Sequence, residues 1–147
     1  FYRRLNDGKR EVSLDLDVPE GRKQLLELLE QADMVIESSR ARALEQLGID
    51  VDGLVASRPG LTWVSITGYG RRGDGANRVA FGDDAAAAAG LCSLMGKLNN
   101  SGPIFCGDAI ADPITGAQAA VAAWSVWAGD GGLVELSLRD TTVQLIG

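Results

Sequence analysis

Apolar and polar residues alternate through Glu11-Val-Ser-Leu-Asp-Leu-Asp17, the period-two signature of a strand. Pro19 follows at a position suited to the first residue of a helix, where its missing N–H goes unneeded. From Arg22 to Ala32, leucines at 25, 26, 28 and 29 mark an apolar helical stripe. Asp33 begins a break, and Met34-Val35-Ile36 is a short apolar run fit for a buried parallel strand. A second helix is predicted from Ala41 to Leu47, ending at Gly48 in a left-handed cap. Asp52 to Ser57 reads as another short helix, stopped by Pro59-Gly60. Leu61 to Thr67 is a β-branched and aromatic strand.

Gly68 to Arg78 is a glycine- and arginine-rich loop, and the small residues from Asp84 to Met95 predict one helix. A polar loop, Lys97 to Pro103, leads to Asp112. Pro113 to Ala128 is a further helix carrying Trp124 and Trp127. Gly129 to Gly132 turns the chain, Leu133 to Leu138 alternates as a strand, and Arg139 starts a last helix. Strands alternating with helices imply a parallel α/β sheet with right-handed crossovers.

Composition narrows the chemistry. The 147 residues are 46% hydrophobic and 23% charged, in the range of one globular domain with its own core. A net charge of −6 argues against a nucleic-acid or anionic-membrane partner, although local arginines can still hold an anion. No apolar run is long enough for a transmembrane helix. The start, Phe1-Tyr2-Arg3-Arg4, has neither methionine nor a signal-peptide core, so the expectation is a cytoplasmic chain excised from something longer. Cys92 and Cys106 have no metal-type spacing and read as small hydrophobes. Histidine is absent, which removes serine and cysteine triads that need one and any imidazole base from this chain. No metal set is expected. Chemistry here runs on carboxylates, hydroxyls, thiols or backbone groups.

Gly68-Tyr-Gly70-Arg-Arg-Gly73 fits G-x-G-x-x-G after a strand, but no helix begins at its third glycine and no acidic residue follows at the dinucleotide spacing. Arg71 and Arg72 there belong on the surface or near an anion. Asn99-Asn100-Ser101 matches a glycosylation sequon by chance. Asp112-Pro113-Ile-Thr-Gly116 supports two readings. Aspartate before proline is a good helix cap, and a carboxylate at a helix start, with its pKa lowered by N–H groups and the dipole, is also a ready nucleophile. Asp83-Asp84 reads as capping or as a second carboxylate for acid–base work. Arg40 and Arg42 lie past a parallel strand's carboxyl end, where open α/β sheets bind ligands, and are candidate phosphate contacts or plain surface charges.

Several segments together resemble the class III CoA-transferases, the family of formyl-CoA and carnitine CoA-transferases and α-methylacyl-CoA racemase. They are Asn6 to Leu16, Pro19 to Arg22, Ala32 to Glu37, Leu44 to Gly48, Arg58 to Gly70, Ile110 to Gly116 and Val134 to Asp140, in the family's order along nearly the whole chain. The resemblance implies an α/β fold, a Rossmann-like parallel sheet with flanking helices. Residues 1–147 would form the central part of the large domain, with the small domain absent and the active protein an interlocked homodimer. It implies transfer of coenzyme A between an acyl-CoA and a carboxylic acid, CoA being substrate rather than a tightly bound cofactor. Asp112 falls on the family's nucleophilic aspartate, and because the family's large domain binds CoA, Arg40 and the Thr67-Gly68-Tyr69 turn are its candidate contacts. A non-catalytic CoA-binding or assembly fragment is the competing expectation.

The chain also departs from the pattern. Glu37-Ser-Ser-Arg-Ala-Arg42 keeps only Glu37 and Arg40 of the usual Glu-Asn-Phe-Arg-Pro-Gly. The loop after Gly70 lacks the common proline. No histidine stands near Phe81-Gly-Asp-Asp84, which disfavours racemase chemistry.

Overall fold

The computed structural model describes residues 2–147, so Phe1 lies outside the described residues. The chain divides into two units, meeting at Gln31 and Ala32.

The first unit holds α1 (Tyr2–Asn6) and α2 (Pro19–Gln31). Helix α2 begins at Pro19, as its sequence predicts. Its start is fastened by Arg22, whose Nε donates to the Leu16 carbonyl at 2.8 Å and whose Nη2 donates to that of Asp17 at 3.1 Å. Gly21 is obligatory, because a Cβ there would lie 1.8 Å from the Asp15 carbonyl oxygen. Of the leucine stripe, Leu29 is buried and Leu25 half-buried, while Leu26 and Leu28 remain exposed. The strand expected at Glu11–Asp17 does not form. Alternation specifies a strand only when a neighbouring ladder takes up its backbone groups, and no described strand pairs with this segment.

The second unit is a parallel sheet with flanking helices. Strands β1 (Met34–Glu37), β2 (Thr62–Thr67) and β3 (Gly132–Ser137) pair in the order β1-β2-β3, with Met34 opposite Thr62 and Thr67 opposite Ser137. Helices α3 (Ala41–Gln46) and α4 (Val51–Ser57) connect β1 to β2. Asp50 caps α4 by accepting from the Gly53 N–H at 3.0 Å. Gly48 takes φ +77° after α3, the left-handed turn its sequence position predicts.

Helices α5 (Gly82–Ala88), α6 (Leu91–Leu98) and α7 (Ala111–Trp127) connect β2 to β3, and α8 (Leu138–Ile146) follows β3. The single helix expected from Asp84 to Met95 is two helices. Gly90 at φ +92° breaks it, since a left-handed residue cannot continue a right-handed ladder. Helix α7 starts before Pro113, so Asp112 is not its cap. Ile110 holds that position in helical geometry, and Asp112 sits inside the first turn.

The core explains why the crossover helices are so rich in alanine. Val64 and Val134 of the sheet pack with Ala119 and Ala123 of α7. A second cluster joins Ala85 and Ala86 of α5, Leu91, Ala111 and Leu138. Small side chains let α5 and α7 approach the sheet and α8 closely, which brings the start of both helices to the carboxyl ends of the strands. Beyond the sheet, no described helix is long and apolar enough to cross a membrane.

Candidate active site

All three strands deliver the chain to one cleft. Ser38, Ser39 and Arg40 follow β1, Thr67 and Gly68 end β2, and Leu138 follows β3. Together with Arg78, Val79, Ala80, Phe81, Asp112 and Gly116 they line a cavity of about 690 Å³. That is room for a substrate of ordinary small-molecule size. It lies where open α/β sheets bind ligands, beyond the carboxyl ends of their strands.

The structure thus brings Asp112, Arg40, Thr67 and Gly68 to one cavity, while Tyr69 is not among its lining residues. The Thr67 hydroxyl is occupied twice, accepting from the Gly70 N–H at 2.9 Å and donating to the Leu136 carbonyl at 3.3 Å. It shapes the turn that the cleft is built on. Gly68 is tightly placed as well, since a Cβ there would meet the Ala80 side chain at 2.5 Å.

Asp112 stands on the wall of this cleft, exposed to solvent. Its backbone N–H donates to the Ala109 carbonyl at 2.9 Å. Partial burial raises its pKa above the usual carboxylate value, the N–H of Gly82 hydrogen-bonds to the carboxylate and opposes that rise, and the negative charge of Asp83 adds to it. The expectation of a lowered pKa from a helix start is therefore overturned. Lost hydration and a like-charged neighbour outweigh the backbone donor.

The acidic pair divides its work. Asp84 accepts from the Phe81 N–H at 3.2 Å, a local capping bond at the start of α5. Asp83 Oδ1 instead accepts from the N–H of Ala109 at 2.9 Å, in the loop that leads to Asp112. Gly82 lies between them with no space to spare, because a Cβ there would sit 2.4 Å from the Ala109 carbonyl oxygen.

Arg71 and Arg72 of the glycine-rich loop face elsewhere. Arg71 pairs with Asp52 at 3.3 Å and with Glu135 at 3.0 Å, and its side chain is only 15% exposed. Desolvation works against its charge, but these two carboxylates raise its pKa overall. Gly70 and Gly73 both take positive φ, and no helix begins until Gly82, so the G-x-G-x-x-G match is a turn.

Sequence reading passed over Arg78, Val79 and Gly82. Their place follows only from the path of the loop after β2, which returns past the end of its own strand. The one signal available was the Phe81-Gly82 pair, noted there only for lacking a histidine.

Comparison with known proteins gives a consistent picture. The family model of CoA-transferase family III matches residues 1–147. The succinate–glutarate CoA-transferase of Agrobacterium fabrum is 31% identical over 145 residues, covering 95% of this chain and 36% of that protein. The succinyl-CoA–D-citramalate CoA-transferase of Chloroflexus aurantiacus is 27% identical over 144 residues, with the same two coverages of 95% and 36%. A crystal structure of a CAIB/BAIF family protein from Brucella suis superposes with a TM-score of 0.82 at 30% identity, covering 95% of this chain and 38% of that one. The chain spans less than two-fifths of the length of each of these relatives.

Proposed function

This chain belongs to CoA-transferase family III, and from that premise we propose that it carries the nucleophile, Asp112, of an acyl-CoA:carboxylate CoA-transferase. The observation behind this reading is the position of Asp112. It is a carboxylate on the wall of a cleft of about 690 Å³, at the end of a parallel sheet. Residues 1–147 act as the central part of the large domain of a longer protein, which works as a homodimer.

The chemistry needs one carboxylate and the cofactor-like thiol of its own substrate. An Asp112 oxygen attacks the thioester carbonyl of an acyl-CoA, the C–S bond breaks, and CoA leaves as thiolate from a mixed anhydride. The thiolate attacks the aspartyl carbonyl of that anhydride, releasing the first acid as carboxylate and leaving an aspartyl-CoA thioester. The incoming carboxylate attacks this thioester to give a second anhydride and thiolate. Attack of the thiolate on the new acyl carbonyl regenerates Asp112 and forms the product thioester. Covalent capture splits one difficult exchange into steps of lower barrier.

Positioning falls to the surroundings. Arg40 offers a guanidinium to the phosphates of CoA, which guanidinium groups bind through charge-assisted hydrogen bonds. The Thr67-Gly68-Tyr69 turn borders the path of the pantetheine arm. Val79 and Phe81 expose apolar surface at the cleft, suited to the arm's hydrocarbon portions. Only the ionised form of Asp112 attacks, so its raised pKa moves the acid limb of the rate to higher pH than an unshifted aspartate would give.

Hydroxylamine tests the proposal directly. Incubated with acyl-CoA and hydroxylamine, the protein should acquire a hydroxamate at Asp112, found by peptide mass spectrometry and absent from Asp112→Asn. CoA binding without any adduct at Asp112 would sink the covalent reading and leave a CoA-binding module.

A further inference from the structure

We propose that Asp83 is a positioning residue for Asp112, holding the turn that launches α7 through its bond to Ala109 while presenting its own charge to the nucleophile. The proposal rests on the reading of Asp112 given above.

The geometry is reciprocal. The backbone N–H of Gly82, the first residue of α5, favours the ionised form of the Asp112 carboxylate. Asp83, the next residue, takes the N–H of Ala109 at 2.9 Å. The carbonyl of that same Ala109 accepts the Asp112 backbone N–H at 2.9 Å. The start of α5 is therefore tied to the segment 109–112 through the Asp83 side chain, and the missing Cβ of Gly82 lets the two backbones touch.

Ala109 needs such a hold. It is a non-glycine residue at φ +49°, a left-handed conformation that is unfavourable by about 1–2 kcal/mol for an L-residue. Surrounding contacts must impose it, and strained backbone of this kind tends to sit beside functional groups. Asp83 provides the side-chain contact, from a residue 26 positions earlier in the chain. An ordinary capping aspartate bonds within its own helix, as Asp84 does with Phe81. Asp83 reaches out of its helix to the peptide on which Asp112 is hung.

The charges around Asp112 single out the same residue. Arg40 and Arg78 line the cleft from its loops. Arg139, beyond β3, is engaged by Asp140, and Asp84 is turned to Phe81. Asp108, in the loop before Ala109, is exposed. Asp83 is the carboxylate whose field reaches Asp112 and favours its protonated form.

Two substitutions in the full chain separate the bond from the charge. Asp83→Asn keeps an acceptor for the Ala109 N–H and removes the charge, whereas Asp83→Ala removes both. The Asp112 titration is followed by carboxyl carbon NMR, and turnover is followed as kcat/KM against pH. In Asp83→Asn the Asp112 midpoint and the acid limb should both move to lower pH. Asp83→Ala should lose at least about tenfold in turnover at every pH, as expected when a nucleophile is displaced by a fraction of an ångström, with the folded spectrum retained.

Three results would overturn the proposal: an unmoved Asp112 midpoint in Asp83→Asn, full turnover in Asp83→Ala, or equal loss in both variants. The last would mean that the Asp83 carboxylate itself does chemistry. Because the NMR titration needs no turnover, a shifted midpoint without any hydroxamate on Asp112 would uphold the positioning and reject the nucleophile.

Discussion

The carboxyl end of the sheet has two sides that treat charge in opposite ways. On one, Arg71 is folded between Asp52 and Glu135, with Arg72 reaching the same two carboxylates. Each charge there is answered by another charge of the protein. On the other side, Arg40 and Arg78 line an open cleft beside Asp112, and the charge that shifts Asp112 is that of another carboxylate. Asp140 sharpens the contrast. Burial alone would raise its pKa, but the side chains of Arg139 and Ser137 favour its ionised form and lower it overall.

The two carboxylates therefore act on stability with opposite sign. Asp140 contributes stability above its unfolded pKa, and that contribution is lost as the pH falls through its lower folded value. Asp112 binds its proton more tightly in the folded protein. Its share of stability is greatest in acid and declines as the pH rises from the ordinary carboxylate value through the raised folded one. Charges matched by partners serve the fold. An unmatched carboxylate facing a cleft is unfavourable for the fold and is where reactivity is expected.

The strongest way to break this contrast is to disturb the cleft's backbone. Gly82→Ala would place a Cβ 2.4 Å from the Ala109 carbonyl oxygen. The α5 start and the 109–112 turn must then separate, moving Asp112 relative to its N–H donor. Steady-state kinetics should show kcat lower by about 100-fold, the order expected for misplacement near an ångström. Unaltered kcat would mean that the close approach is irrelevant to the site.

Removing a cation on the open side should act on binding instead. Arg40→Ala is expected to raise KM for acyl-CoA by about tenfold with little change in kcat, the scale of one charge-assisted hydrogen bond at an exposed position. A change confined to kcat would place Arg40 at the reacting atoms rather than at the phosphates.

The smallest effect belongs to the paired side. Arg71→Ala should leave kcat and KM near their starting values and lower folding stability by about 1 kcal/mol, measured by urea denaturation. The loss includes packing, because this arginine's side chain is mostly covered. A large loss of activity at unchanged stability would show that the two sides are not separate.

Legibility followed the range of the forces involved. The strands at 34–37 and 62–67 were readable as short apolar or β-branched runs and that at 132–137 by its alternation, patterns written into adjacent residues. Helix α2 and the Gly48 turn were readable for the same local reason. The alternation at 11–17 misled, since the same pattern forms a strand only where a partner supplies hydrogen bonds. The alanine run misled as well, because helix propensity does not reveal that Gly90 adopts a left-handed turn there.

At the site, sequence marked Asp112, Arg40 and Thr67-Gly68 through the family's motifs and the rule of strand ends. It misjudged the direction of the Asp112 pKa. A helix start is a local feature, but lost hydration and the field of Asp83 arrive through space from a helix far back along the chain.

Residue order by itself settled the parallel α/β arrangement, the family, and the lack of an imidazole in these 147 residues, because these depend on local pattern and on which side chains are present. Tertiary structure alone decided that Gly82 and Asp83 meet Ala109 and Asp112, and that Arg71 is spent on Asp52 and Glu135. Those contacts join positions remote in the chain, and their energies depend on distance and burial, which no spacing of residues encodes.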